Sequence, residues 1–260
     1  MNHTEQRIYL IKELQKVPSQ LSSIEIPQEE QLQKDLLRGL MNIWEPVELS
    51  DEFYAIQDEY LKEEIRREGI TDIDDLKEIE KNIYLYKGDM TQLKVDAIVN
   101  PANSGLTGCW SILHNCADNF VHSKAGLKLR YTCNEIMVKQ GHPEPTGRAK
   151  ITPGYNLPCR YVIHTVGPIV NGPLDNRHKE LLRSSYKSCL DIAFENNLDS
   201  IAFCCISTGV FMFPNDIAAK IAVDTVHEFY RETGSNMKVV FDVFKDLDYE
   251  LYRELLNYNK

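Results

Sequence analysis

Hydrophobic positions in the first eighty residues recur with the period of an α-helix. Ile8, Ile11 and Leu14 begin one amphipathic stretch, and Leu32, Leu36, Leu37, Leu40 and Trp44 continue a second along one helix face. A third opens at Ser50, whose hydroxyl suits an N-cap, with Asp51 and Glu52 in the positive first turn and Phe53, Ile56 and Tyr60 on the buried side. Pro18, Pro27 and Pro46 mark the breaks. From Asn82 onward the pattern switches to short apolar runs at 83–86, 95–100, 161–166, 201–205 and 237–243, with a shorter one at 151–152. The run VDAIVN at 95–100 is nearly continuous, as in strands covered on both faces. Helical patterns separate these runs at 124–139, 180–196, 215–232 and 246–257. The alternation predicts an α/β fold, a three-layer α/β/α sandwich around a mostly parallel sheet. Residues 1–80 read as a helical N-terminal extension packed on a main domain of residues 81–260.

Composition narrows the function. The chain has 260 residues, 43% hydrophobic and 26% charged, a balance that supports a packed core. No run reaches the roughly 18 consecutive apolar residues of a membrane span, and the N-terminus lacks a secretory pattern, so no membrane role is expected. Residues 1–80 hold 20 Asp and Glu against 9 Lys and Arg, a net −11, while the remainder carries 19 against 20, a net +1. The acidity belongs to the extension, and the main domain shows no basic stripe for nucleic acid. Seven cysteines without an export signal favour thiol or metal chemistry over disulfides and place the chain in the cytoplasm.

The densest chemistry lies in Cys109-x4-His114-x-Cys116-x5-His122, four soft donors within fourteen residues. Cys109, His114 and Cys116 are the expected Zn2+ ligands, since three close donors leave a position open for chemistry. His122 as a fourth ligand would close the site and make the metal structural; packed thiols with incidental histidines are the remaining alternative. Asp118 and His122 share a face if a helix starts near Ala117. The other cysteines, Cys133, Cys159, Cys189, Cys204 and Cys205, read as packing residues. His164, in YVIHTV, reads as a satisfied sheet residue, and His142, His178 and His227 have no clustered partners. Further on, Ser207, Thr208, Gly209, Val210 and Phe211 join a strand to a helix from about Asn215. Such a loop offers backbone N–H groups to a pyrophosphate, or is an ordinary turn. Neither G-x-x-x-x-G-K-[ST] nor G-x-G-x-x-G occurs.

As a set these motifs resemble a known family. GDMTQLKVDAIVNPANSGL is similar to the opening of a macrodomain, the α/β module that binds ADP-ribose, and the likeness runs from about Tyr84 to the C-terminus. GCWSILHNCADNFVHSKAG and ISTGVFMFP resemble its zinc-dependent branch, which removes mono-ADP-ribose from proteins and typically carries a helical extension. The resemblance implies that Asp89 accepts from the adenine amino group, with Met90 beside it offering backbone. It implies that Asn103 holds the distal ribose, that Ala117 and Asp118 line it, and that Asn103 and Asp118 are catalytic. The 207–211 loop becomes the diphosphate loop, with Phe211 flanking the ribose. The implied bond is an ester to an acidic side chain, on a lipoyl-carrier-like protein as partner. Trp110 and Ala117 depart from the branch's pattern. Read without the resemblance, Asp89 and Asn103 are turn residues and Asp118 a helix N-cap. Two other functions compete: a reader that binds ADP-ribose without cutting it, and a purely structural zinc.

Overall fold

The computed structural model describes residues 1–17 and 19–256, so the break expected at Pro18 and the helix end expected at Asn257 lie outside the described residues. Three helices come first, α1 (His3–Gln15), α2 (Glu30–Ile43) and α3 (Asp51–Glu68). Asn2 opens α1 with a capping box, its Oδ1 accepting from Glu5 N and its own N–H donating to Glu5 Oε2, both at 2.9 Å. Ser50 Oγ accepts from Phe53 N at 3.2 Å and starts α3. Leu10, Ile11, Leu14, Leu37, Leu40, Phe53 and Tyr60 close on one another and on Leu127, forming a second, smaller core. Leu32 falls off the buried face of α2 at 48% exposed, and Trp44 is the C-cap.

Two short strands follow the helices: β1 (Thr71–Asp72), which pairs parallel with β4 (Leu93–Lys94), and β2 (Glu78–Glu80), which pairs antiparallel with β3 (Ile83–Lys87). The helical part therefore ends at Glu68, and a boundary at residue 80 cuts through a strand pair. Strands of two or three residues are too short to print a period-2 pattern on the sequence.

The main sheet adds β5 (Ala97–Pro101), β6 (Ala149–Pro153), β7 (Tyr161–Thr165), β8 (Ser200–Phe203) and β9 (Lys238–Val243), in the order β2-β3-β9-β8-β5-β7-β6. The five inner strands are parallel, and β2 and β6 run antiparallel at the edges. Around it pack α4 (Ala117–Ala125), α5 (Leu127–Gln140), α6 (Asn176–Glu195), α7 (Asn215–Thr233) and α8 (Asp246–Leu255). The helix expected over 124–139 is two helices, because Gly126 takes φ +95°, which an ordinary residue avoids.

Side-chain alternation assigns the layers. Val99, Phe203 and Phe241 stand in register on one face, where Phe203 meets Tyr186 of α6 and Phe241 meets Tyr252 of α8. Asn100 and His164 pair on the opposite face, toward Asp118 of α4 and Cys133 of α5. Ala97, Ile98 and Val99 are fully buried, as their unbroken apolar run requires. No described helix is long and apolar enough to cross a membrane.

Candidate active site

The parallel strands all release their chains at one edge of the sheet, which is where open α/β sheets collect ligand-binding loops. Apart from His122, farther along a helix, the residues singled out for chemistry lie in a loop or helix start that follows a carboxyl end there: 88–92 after β3, 102–118 after β5 and 204–214 after β8.

The loop after β5 brings Cys109, His114 and Cys116 together, their donor atoms all within 4.8 Å of one another and Cys109 Sγ 3.5 Å from His114 Nδ1. Burial, together with Cys109 and Asp118 close by, pushes the Cys116 thiol up to about 12. Two sulfurs and one imidazole on a partly exposed loop form a donor set that suits zinc, with one coordination position left over. His122 faces elsewhere. Its ring is buried in a separate group with Cys133 and His164, and Nε2 lies 3.6 Å from Asp118 Oδ1. Burial first, then His164 and Arg130, hold its pKa well below the usual imidazole value.

Asp118 is the second residue of α4, and Cys116 takes the N-cap position. Its carboxylate is buried between two amides: Asn100 Nδ2 donates to Oδ1 at 2.8 Å and Asn103 Nδ2 to Oδ2 at 3.3 Å. Burial drives its pKa up to about 6, against the pull of Asn100, Arg130 and Asn103. Asn103 also donates to Gly108 O at 2.9 Å and accepts from Gly105 N at 2.9 Å, so one side chain ties the turn to the aspartate. Gly108 has φ +84°, and a Cβ there would stand 2.7 Å from His122 Cγ. Gly108→Ala is expected to cost about 2 kcal/mol of stability, from the left-handed backbone and the collision together, read as a lowered urea midpoint. An unchanged midpoint would show that the loop relaxes freely.

At the other end, Asp89 caps a 3-10 turn through Thr91 N at 2.9 Å, and its second oxygen takes Lys124 Nζ at 3.0 Å. Burial alone would raise its pKa, but Lys124 and the Thr91 donors hold it below the usual carboxylate range. Met90 beside it is buried. Gly88 N donates to Val243 O at 3.1 Å, which sets Phe244, 80% exposed, alongside this turn. Between the two ends, Ser207 has φ +67° and a buried Oγ without a partner among the described residues. Thr208 Oγ1 donates to Cys205 O at 3.0 Å, and Phe211 O accepts from Val170 N at 2.9 Å. The N–H groups of Gly209, Val210 and Phe211 have no acceptor among the described residues, as in backbone nests that receive anions.

Comparison with known proteins follows the same lines. Residues 99–222 match the family model described as Macro domain. A protein-ADP-ribose hydrolase of Treponema medium is 52% identical over 261 residues, covering 99% of this chain and 100% of the relative. The chain belongs to the macro domain family. A second relative, a protein-ADP-ribose hydrolase of Staphylococcus aureus (strain MSSA476), is 46% identical over 251 residues, covering 96% of this chain and 94% of its own. The Trypanosoma brucei macrodomain in complex with ADP-ribose superimposes with a TM-score of 0.66 at 31% identity, covering 81% of this chain and 92% of that one. The macro domain match spans Asn103, the Cys109–Cys116 loop, Asp118 and the 207–211 loop, while Asp89 and Phe244 lie outside it.

Four residues in or beside these loops are not picked out by the sequence. Asn100 was absorbed into an apolar strand, although a lone amide there is itself a signal. Phe244 stands one residue past a strand, a position that exposes an aromatic ring. Lys124 and Arg130 carried no sequence signal, because their partners lie 35 to 89 residues away.

Proposed function

We propose that this chain is a zinc-dependent hydrolase that removes mono-ADP-ribose from modified protein side chains, cleaving an ester-type link to an acidic residue. The observation that carries the reading is the grouping of Cys109, His114 and Cys116 against the Asn103–Asp118 pair, on the same sheet edge as the anion-ready 207–211 loop. The names of the full-length relatives, and the ADP-ribose complex of a similar macrodomain, support it.

Asp89 accepts from the adenine amino group, Met90 lends backbone, and Phe244 offers the base an aromatic face. Backbone N–H groups of the 207–211 loop hold the diphosphate. Binding energy from these remote contacts delivers the distal ribose to Asn103, Ala117, Asp118 and Phe211. The Asn103 amide orients a ribose hydroxyl. The Asp118 carboxylate accepts a hydrogen bond from the attacking water or that hydroxyl. Cys109, His114 and Cys116 would hold the zinc, which would supply positive charge and Lewis acidity to the reaction. The modified partner is a lipoyl-carrier-like protein, and seven unpaired cysteines fit a cytoplasmic site of action.

Elemental analysis paired with release of ADP-ribose from a modified protein tests the reading. One zinc per chain is expected, with release lost on chelation while the circular dichroism is kept, and regained on adding Zn2+. Full release by the zinc-free protein would sink the catalytic role of the metal. Binding of ADP-ribose with no release from any modified protein would make the chain a reader instead.

A further inference from the structure

The metal loop cannot hold its own shape. Residues 109–116 have no regular secondary structure, and the backbone bond formed within them joins His114 N to Ser111 O at 3.2 Å. Leu113, in the middle, sits in the left-handed region at φ +54°, a conformation that a side chain with a Cβ leaves unless something holds it. What holds it is the N-terminal layer. Arg38 of α2 donates through Nη2 to His114 O at 2.8 Å, and through Nε and Nη2 to Asn119 Oδ1 at 3.2 and 2.9 Å. Its guanidinium lies 4.1 Å over the Phe120 ring, which fixes the plane of the fork. Asn119 in turn donates to Ser111 O at 3.0 Å. One turn along α2, Asn42 Oδ1 accepts from Leu113 N at 3.1 Å, while its Nδ2 donates to Ser123 Oγ at 2.9 Å. Gly39 lies between them, and a Cβ there would come within 3.3 Å of Ile112 Cγ2, so α2 is smooth where the loop rests on it.

We propose that α2 of the N-terminal layer is the outer support of the metal loop, with Arg38 and Asn42 as positioning residues that bring the three donor side chains face to face. This rests on the zinc reading above. It gives the extension a task in the chemistry: α2 supplies the bonds for backbone at 113 and 114 and, through Asn119, at 111, and it supplies no ligand. Groups that hold metal ligands from behind raise affinity by fixing their orientation in advance. Arg38 and Asn42 touch neither the 207–211 loop nor Asp89, so the grip on the nucleotide end is independent of them.

The experiment uses the full chain carrying Arg38→Met, which keeps the stem over Phe120, and separately Asn42→Ala and Arg38→Lys. Zn2+ affinity is measured by chelator competition, ligand geometry by the absorption spectrum of the Co2+ form, and ADP-ribose affinity by calorimetry on zinc-free protein. Arg38→Met and Asn42→Ala are each expected to weaken Zn2+ binding roughly 10–100-fold, with a changed Co2+ spectrum and unchanged ADP-ribose affinity. Arg38→Lys keeps one donor and is expected to recover part of the loss. Parent-like Zn2+ affinity and Co2+ spectra in both variants would overturn the proposal, as would an equal loss of ADP-ribose affinity, which would mark a general structural role. A wild-type chain that takes up neither Zn2+ nor Co2+ overturns the zinc reading itself, and this support role with it.

Discussion

Asp118→Asn is expected to slow release of ADP-ribose by about 10²–10⁴-fold, the usual worth of a positioned acid–base group, while ADP-ribose still binds. The substitution preserves shape, so Asn100 keeps an acceptor at Oδ1. It removes the second carboxylate oxygen that faces Asn103, and with it the capacity to accept from a hydroxyl or a water. Stability is expected to hold or rise, because burial already drives this carboxyl up to about 6 and an amide carries no charge into that site. The measurement is single-turnover release alongside a thermal melt at pH 8. A variant that keeps the parent rate would reduce Asp118 to architecture and move the search for the reacting group to the Cys109–Cys116 loop.

Arg130→Met is expected to give the largest stability loss, about 3 kcal/mol or more, with a fall in melting temperature of roughly 2–4 °C for each kcal/mol. Arg130 is 2% exposed and donates through Nη1 to Met41 O at 3.0 Å, Asn42 O at 2.8 Å and Trp44 O at 3.0 Å. These carbonyls end α2, where the regular helical donors run out and Met41 O keeps only the long 3.4 Å bond from Trp44 N. Burial pulls the guanidinium down to about 10, so it stays charged at neutral pH and the bonds are charge-assisted. Its other face lies 4.5 Å from the Trp110 ring. Methionine fills the stem's volume but returns no donor. Melts of the two proteins that superimpose would remove Arg130 from the frame.

The elements most legible in the sequence were those whose signal is local. Apolar runs at 83–86, 95–100, 161–166, 201–205 and 237–243 all became inner strands of the sheet, because a strand covered on both faces must be apolar throughout. Ser50 capped its helix as its chemistry demands. Spacing alone drew attention to Cys109, His114 and Cys116, which the fold does gather. The edge strand β2 was missed, as was β1 of the separate two-stranded sheet, since they are three and two residues long. So was the division of α4 from α5, which turns on the backbone angle of Gly126. Asp118 illustrates the harder limit. Its position on a helix was foreseeable, but its burial between Asn100 and Asn103 depends on a strand and a turn meeting in space. Arg38 and Arg130 carry no local sequence signal, because only the packing of α2 on the domain gives them carbonyls to hold.

Helix α4 carries Asp118 near its start and, near its end, Lys124, which is bonded to Asp89. They lie six positions apart, roughly 9 Å along the axis at 1.5 Å per residue. One short rigid rod thus acts as a gauge block between the Asp118 end and the Asp89 end of the cleft. Adding or deleting a single residue within α4 would lengthen or shorten that gauge by only about 1.5 Å, but it would swing one end about 100° around the axis relative to the other. The spacing of the two ends is therefore a whole-helix property, and point substitutions on the solvent side of α4 leave it untouched while any change of length resets it.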